Sequence, residues 1–264
     1  MRSLAAILVG MGLCAMAQAA VVTETIKYEI GGKPFAGMLA YDSAATGKRP
    51  GVLVVHEWWG LNDYAKERAR ALAQMGYVAF AADMYGEGIV ATTPDEAGKL
   101  AGQFRGRWDQ GGRQEMRARA RAALTVLARQ RHVDSARLAA IGYCFGGTVA
   151  LELAYSGADL DGVVTFHGGL TVPDDADLPG LKAKILVLHG ASDTSVKPET
   201  ITALQEALTK AKADWQMIYY GGAVHGFSNP ANTGGLSANV AYDPNAARRS
   251  WAAMGAFLAE IFAK

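Results

Sequence analysis

Six short apolar runs, at 52–56, 78–82, 138–143, 162–166, 185–189 and 215–220, alternate with helix-period patterns at 63–74, 113–129, 148–155, 198–212 and 245–262. Runs of this length that carry no inside–outside alternation belong to strands buried on both faces. Strands that alternate with helices close into a parallel sheet, because each crossover helix must bury its apolar stripe on one face of that sheet. The first stretch differs: 23–30 and 34–41 flank Gly31-Gly32, the spacing of an antiparallel hairpin. The predicted fold class is therefore α/β, a mostly parallel central sheet with helices on both faces and an antiparallel N-terminal hairpin. Segment 84–112 breaks the rhythm. A capping box at Thr93-Pro94-Asp95-Glu96 opens a short helix inside it, and two readings, part of a lid or a surface excursion, both stand.

Within that frame Gly142-Tyr143-Cys144-Phe145-Gly146 joins the run 138–143 to the helix that follows. A small-x-nucleophile-x-small pentapeptide between strand and helix is the sequence form of a nucleophile elbow, the tight turn of the α/β-hydrolase fold. Here the nucleophile is cysteine. The run 185–189 passes through Gly190 into a loop holding Asp193, and the run 215–220 is followed by Gly221-Gly222-Ala223-Val224-His225. Nucleophile, acid and histidine thus arrive in the chain order of that fold, each just beyond the carboxyl end of a strand. The chemistry needs this set: a thiol is mostly protonated near neutral pH, an imidazole can accept its proton, and a carboxylate fixes the imidazole tautomer. Cys144, His225 and Asp193 are the candidate catalytic residues.

The chain resembles the dienelactone hydrolase family over nearly its whole length. The resemblance is carried by His56-Glu57-Trp58-Trp59-Gly60-Leu61, Asp83-Met84-Tyr85-Gly86, the Cys144 segment through Gly147, Phe166-His167-Gly168-Gly169, Asp193 and His225-Gly226-Phe227. It implies an α/β-hydrolase domain that cleaves small esters or lactones with a Cys-His-Asp triad and no cofactor. It also implies that Glu57 assists thiolate formation and that the backbone N–H groups of Phe145 and Trp58 form the oxyanion hole. His167 reads as a pocket wall, and Trp58, Trp59, Tyr85 and Phe227 as either an apolar aromatic pocket or, equally, core. Founding members hold a substrate carboxylate with two arginines. At those positions this chain has Glu87 and Asn229, which cannot form a bidentate clamp, so uncharged short esters are the expected substrates. Arg105 or Arg107 could reach the pocket from another direction, but solvated surface arginines are the preferred reading. A member of the fold that binds ligands or responds to redox state without catalysis is the alternative.

Residues 1–19 combine Arg2, an apolar run and Ala17-Gln18-Ala19, the layout of a secretory signal peptide cleaved near Ala19. That predicts export to the periplasm or beyond, with 20–264 as a single domain. Cleavage removes one basic residue and leaves charges balanced, which gives no argument for nucleic acid or an anionic membrane. No segment is long and apolar enough for stable membrane insertion, and the expected partner is a small ester or lactone. Cys14 leaves with the leader, so Cys144 becomes the sole cysteine. A lone thiol in an oxidising compartment is exposed to oxidation for no structural gain. His56 and His189 stand at strand ends, but their spacing matches no metal site.

Overall fold

The structure, a computed structural model, describes residues 20–263; the expected signal peptide lies outside them. The hairpin forms as β1 (Val21–Ile30) and β2 (Lys33–Asp42). Gly31 and Gly32 both have positive φ, 58° and 74°, which suits a two-residue turn whose twist matches the strands. The apolar runs become β3 (Arg49–Val55), β4 (Val78–Ala82), β5 (Val133–Tyr143), β6 (Gly162–Phe166), β7 (Lys184–Gly190) and β8 (Trp215–Tyr220). All eight strands form one sheet in the order β1-β2-β4-β3-β5-β6-β7-β8. β2 meets β4 antiparallel, and every pairing from β4 to β8 is parallel.

Strand periodicity divides the core. Leu53 and Val55 point into one apolar cluster, and Val52 and Val54 into the other. The first cluster is completed by residues of α2 (Pro94–Arg105), α3 (Gly112–Ala128), α4 (Phe145–Tyr155) and α5 (Pro198–Lys210); the second by α1 (Asp63–Gln74) and α6 (Pro244–Ile261). The helices thus cover both faces. β8 departs from the expected fully buried strand: as the last strand of the sheet it leaves Tyr219 exposed.

Segment 84–112 holds α2. Ala97, Ala101 and Phe104 form its buried stripe, so it packs as part of the body of the domain. Its start is shifted from a standard capping box. The Thr93 hydroxyl accepts from Glu96 N, but the Glu96 carboxylate reaches Thr92, accepting from its N–H at 2.8 Å and its hydroxyl at 2.9 Å. α4 begins at Phe145, three residues before the expected start. Gly146 lies inside the helix, where the lack of a side chain allows close packing on Val55.

Candidate active site

The parallel strands end along one edge of the sheet, and the chemistry-bearing residues follow them there: Glu57 after β3, Cys144 after β5, Asp193 after β7 and His225 after β8. Cys144 has φ 52° and ψ −113°, a conformation that a side chain adopts only when its surroundings impose it. The flanking glycines impose it here. A Cβ on Gly142 would stand 1.9 Å from Gly146 O, and one on Gly146 would stand 2.2 Å from Val55 O. The Cys144 N–H donates to Phe166 O at 3.0 Å, tying the turn to β6.

His225 Nδ1 lies 2.8 Å from Asp193 Oδ2, and the other Asp193 oxygen accepts from the Ser195 N–H at 2.9 Å and from the Ser195 hydroxyl. Cys144 and His225 line one cavity, close enough for the cysteine to act electrostatically on the imidazole. Burial by itself would disfavour a charged imidazole. The electrostatic effect of Cys144 and the hydrogen bond to Asp193 outweigh it and push His225 up to about 10. Burial likewise works against the Asp193 carboxylate, and its bonds to His225 and Ser195 outweigh that effect, holding it well below the usual carboxylate range. The cluster therefore favours an imidazolium at His225, with the acid charged behind it.

Glu57 is 4% exposed and accepts from Asn229 Nδ2 at 2.6 Å. Burial raises its carboxyl to about 7 against the opposing effects of the Asn229 bond and the His225 charge. Its backbone is fixed by His56, whose Nδ1 lies 2.5 Å from Glu57 O while Nε2 accepts from Met84 N at 3.2 Å. Phe145 is the first residue of α4, so its N–H has no acceptor within the helix. Neither it nor the Trp58 N–H donates to a protein group among the described residues. Phe145 follows Cys144 directly and Trp58 shares the cavity with it, so two free amide donors belong to residues at this cavity.

A cavity of about 410 Å³ opens over Cys144 and His225, walled by Glu57, Trp58, Trp59, Pro94 and Arg105 and by Leu236, Ser237 and Val240. Three expected pocket residues do not line it. The Tyr85 hydroxyl donates to Trp58 O at 3.0 Å, and its ring packs on His56 and Phe145, so it supports the wall from behind. Phe227 is fully buried between His167 and Tyr220. His167 is fully buried too, its Nε2 at 2.7 Å from Ser228 Oγ and its ring edge-on to His225. Arg105 is a correction in the other direction. The C-terminal end of α2 brings it to the cavity, where Nη2 donates to Thr148 Oγ1 at 3.3 Å and the guanidinium sits over the Phe145 ring. Glu87, at one clamp position, instead pairs with Lys27 at 2.6 Å.

Segment 232–242 was silent in sequence and proves central. The His225 N–H donates to Asn239 O at 3.0 Å, and Ala241 N donates back to His225 O. The Asn239 side chain accepts from Thr194 N at 2.9 Å, beside the acid. One loop therefore grips both the base and the acid loop. Only Ser195, placed two residues after Asp193 as in an Asx turn, carried a local signal.

The sequence profile of the dienelactone hydrolase family matches residues 35–262. Protein usf of Aquifex pyrophilus is 32% identical over 216 residues, spanning 80% of this chain and 88% of that protein. Among solved structures, a dienelactone hydrolase-like promiscuous phosphotriesterase from metagenomic libraries is 42% identical with a TM-score of 0.86, covering 92% of this chain and 99% of its own. A second, m3DLH, is 44% identical with a TM-score of 0.87 over the same shares. The strand order, the cysteine elbow and these matches agree, and the chain belongs to the dienelactone hydrolase family of α/β-hydrolases.

Proposed function

We propose that this hydrolase cleaves small esters or lactones through an acyl intermediate on Cys144. The observation that carries the reading is the cavity that Cys144 and His225 share, with Asp193 bonded to the imidazole and the N–H groups of Phe145 and Trp58 free of protein acceptors among the described residues. In this reading the Cys144 thiolate attacks the carbonyl carbon, a C–S bond forms, and the former carbonyl oxygen takes the negative charge, held by the two N–H groups. Collapse of that intermediate breaks the C–O bond, and the departing alkoxide takes the proton from the His225 imidazolium. Neutral His225 then removes a proton from water as the water attacks the acyl group; the carboxylic acid leaves and the thiolate–imidazolium pair returns. Asp193 holds the Nδ1 side of the ring throughout. The cavity walls of Trp58, Trp59, Leu236 and Val240 suit an apolar acyl or alcohol group.

The name of the metagenomic relative widens the substrate range to be tested to phosphotriesters, since the same thiolate could attack phosphorus and expel an aryloxide. The test is steady turnover of 4-nitrophenyl acetate and of paraoxon by the wild type, and its loss in Cys144→Ala. Thiol-independent turnover overturns the acyl-cysteine reading, and no turnover at all favours a ligand-binding or redox-responsive protein. Export rests on the layout of residues 1–19 alone; a mature N-terminus near Ala20 recovered from an exported fraction would support it, and an intact leader would not.

A further inference from the structure

Behind the catalytic loop lies a second cavity, of about 290 Å³. Residues 225–230 contribute to both cavities: His225 and Gly226 line the first, and Ser228 and Pro230 line the second. The second is built around Arg68, whose guanidinium lies 5.3 Å from the Tyr64 ring centroid and 5.1 Å from that of Trp251. Two aromatic faces hold a planar cation in place and remove little of its hydrogen-bonding capacity. On the same helix Lys66 and Arg70 pair with Asp63 and Glu67. Arg68 has no carboxylate partner among the described residues, and its buried Nε–H has no acceptor. Arg248, at the cavity rim, is likewise without a carboxylate partner among them.

The second observation is Tyr143. It lines this cavity and is 1% exposed, yet its hydroxyl has no protein partner. A buried phenol without a partner costs free energy unless something else accepts from it. Burial keeps that phenol protonated, so it has an O–H to donate. Two of the other lining hydroxyls are already engaged, since Ser228 Oγ lies 2.7 Å from both Tyr64 OH and His167 Nε2, and the third, that of Tyr242, belongs to an exposed residue.

Two guanidinium groups without carboxylate partners and a buried O–H donor, set among aromatic rings, suit a ligand with an anionic acceptor group and an apolar body. We propose that this cavity is a binding site, separate from the Cys144 site, for a small organic carboxylate. The carboxylate takes the Arg68 fork and the Tyr143 hydroxyl, and the apolar body lies against Trp251 and Tyr64. Inorganic phosphate supplies the charge without the body, and a neutral alcohol the body without the charge.

The test uses full-length protein whose Cys144 has been alkylated with iodoacetamide, so that the first cavity is blocked. Calorimetric titration with benzoate should show one site with a Kd of about 1 mM or tighter. Benzyl alcohol and inorganic phosphate should each bind at least about 10-fold more weakly. Arg68→Gln should weaken benzoate by about 10- to 100-fold, the range for hydrogen bonds to a charged group, and Tyr143→Phe by a smaller factor. Arg248→Gln, a change at an exposed position, repeats the test where folding is not at issue. Absence of benzoate binding, equal binding in Arg68→Gln and Arg248→Gln, or benzyl alcohol or phosphate binding as tightly as benzoate would each overturn the proposal. None of these readouts depends on turnover at Cys144.

Discussion

Glu57→Gln should leave the protein's stability unchanged in mild acid and raise it in mild alkali. The carboxyl has an ordinary value of 4.5 and stands at about 7 in the fold, because burial disfavours its charge more than Asn229 and His225 favour it. Between those values the native state holds a proton that the unfolded chain has released, so stability falls as pH rises through this window. The separation corresponds to about 3 kcal/mol once pH is well above 7. Glutamine keeps the volume and the acceptor for Asn229 Nδ2 but carries no charge at any pH. The variant should therefore melt within a degree or two of wild type at pH 5 and about 5–10 °C higher at pH 9, taking about 2–4 °C per kcal/mol for a domain of this size. Thermal unfolding followed by circular dichroism at both pH values is sufficient. A difference that is the same at pH 5 and pH 9, or a variant less stable at pH 9, would refute the burial argument. Above pH 7, where the wild-type carboxylate is free to accept a proton, acylation should slow in this variant although its stability rises, which separates proton traffic from folding.

Three further outcomes follow from the site. Cys144→Ala and His225→Ala should each lower kcat/KM for 4-nitrophenyl acetate by a factor of about 10³ or more, and the double variant should fall little further, since members of one catalytic unit do not add. His225 should remain an imidazolium up to about pH 10 by nitrogen NMR and titrate lower in Cys144→Ala, where the cysteine's electrostatic effect is gone. Its folded value lies above its ordinary 6.5, so the stability it contributes is complete below 6.5 and is lost as pH rises through about 10; a melting temperature that rises across that window would contradict it. Arg105→Gln should lower the ratio of kcat/KM for 4-acetoxybenzoate to that for its methyl ester by about 10-fold, the effect of removing a charge-assisted hydrogen bond from the cavity wall. An unchanged ratio would return Arg105 to the solvated surface.

How much of this was legible in sequence depends on how local each signal is. The strands could be read because parallel strands buried on both faces leave unbroken apolar runs, as in Val52 to Val55. The elbow was equally legible, since Gly142 and Gly146 are demanded by backbone contacts within 2.2 Å. The start of α4 is less legible, because Gly146 sits inside its first turn and the partner that asks for a glycine there, Val55, is far away in the chain. Adjacency misled at Tyr85, His167 and Phe227. Each follows a strand end or a catalytic residue, but which way a side chain leaves such a turn is decided by neighbours like Ser228 and Trp58, which sequence does not place. Asn239 and Arg105 belong to the same class: the first reaches the acid loop across 45 residues and the second reaches Thr148 across 43.

The central claim is a covalent acyl group on Cys144, and rapid acid quench of the wild-type protein turning over 4-nitrophenyl acetate tests it most directly. Peptide mass mapping should find one acetyl group on the peptide that contains Cys144, accumulating further in His225→Ala if deacylation is the step that needs the base. Turnover at full rate with every Cys144 peptide unmodified would contradict the account.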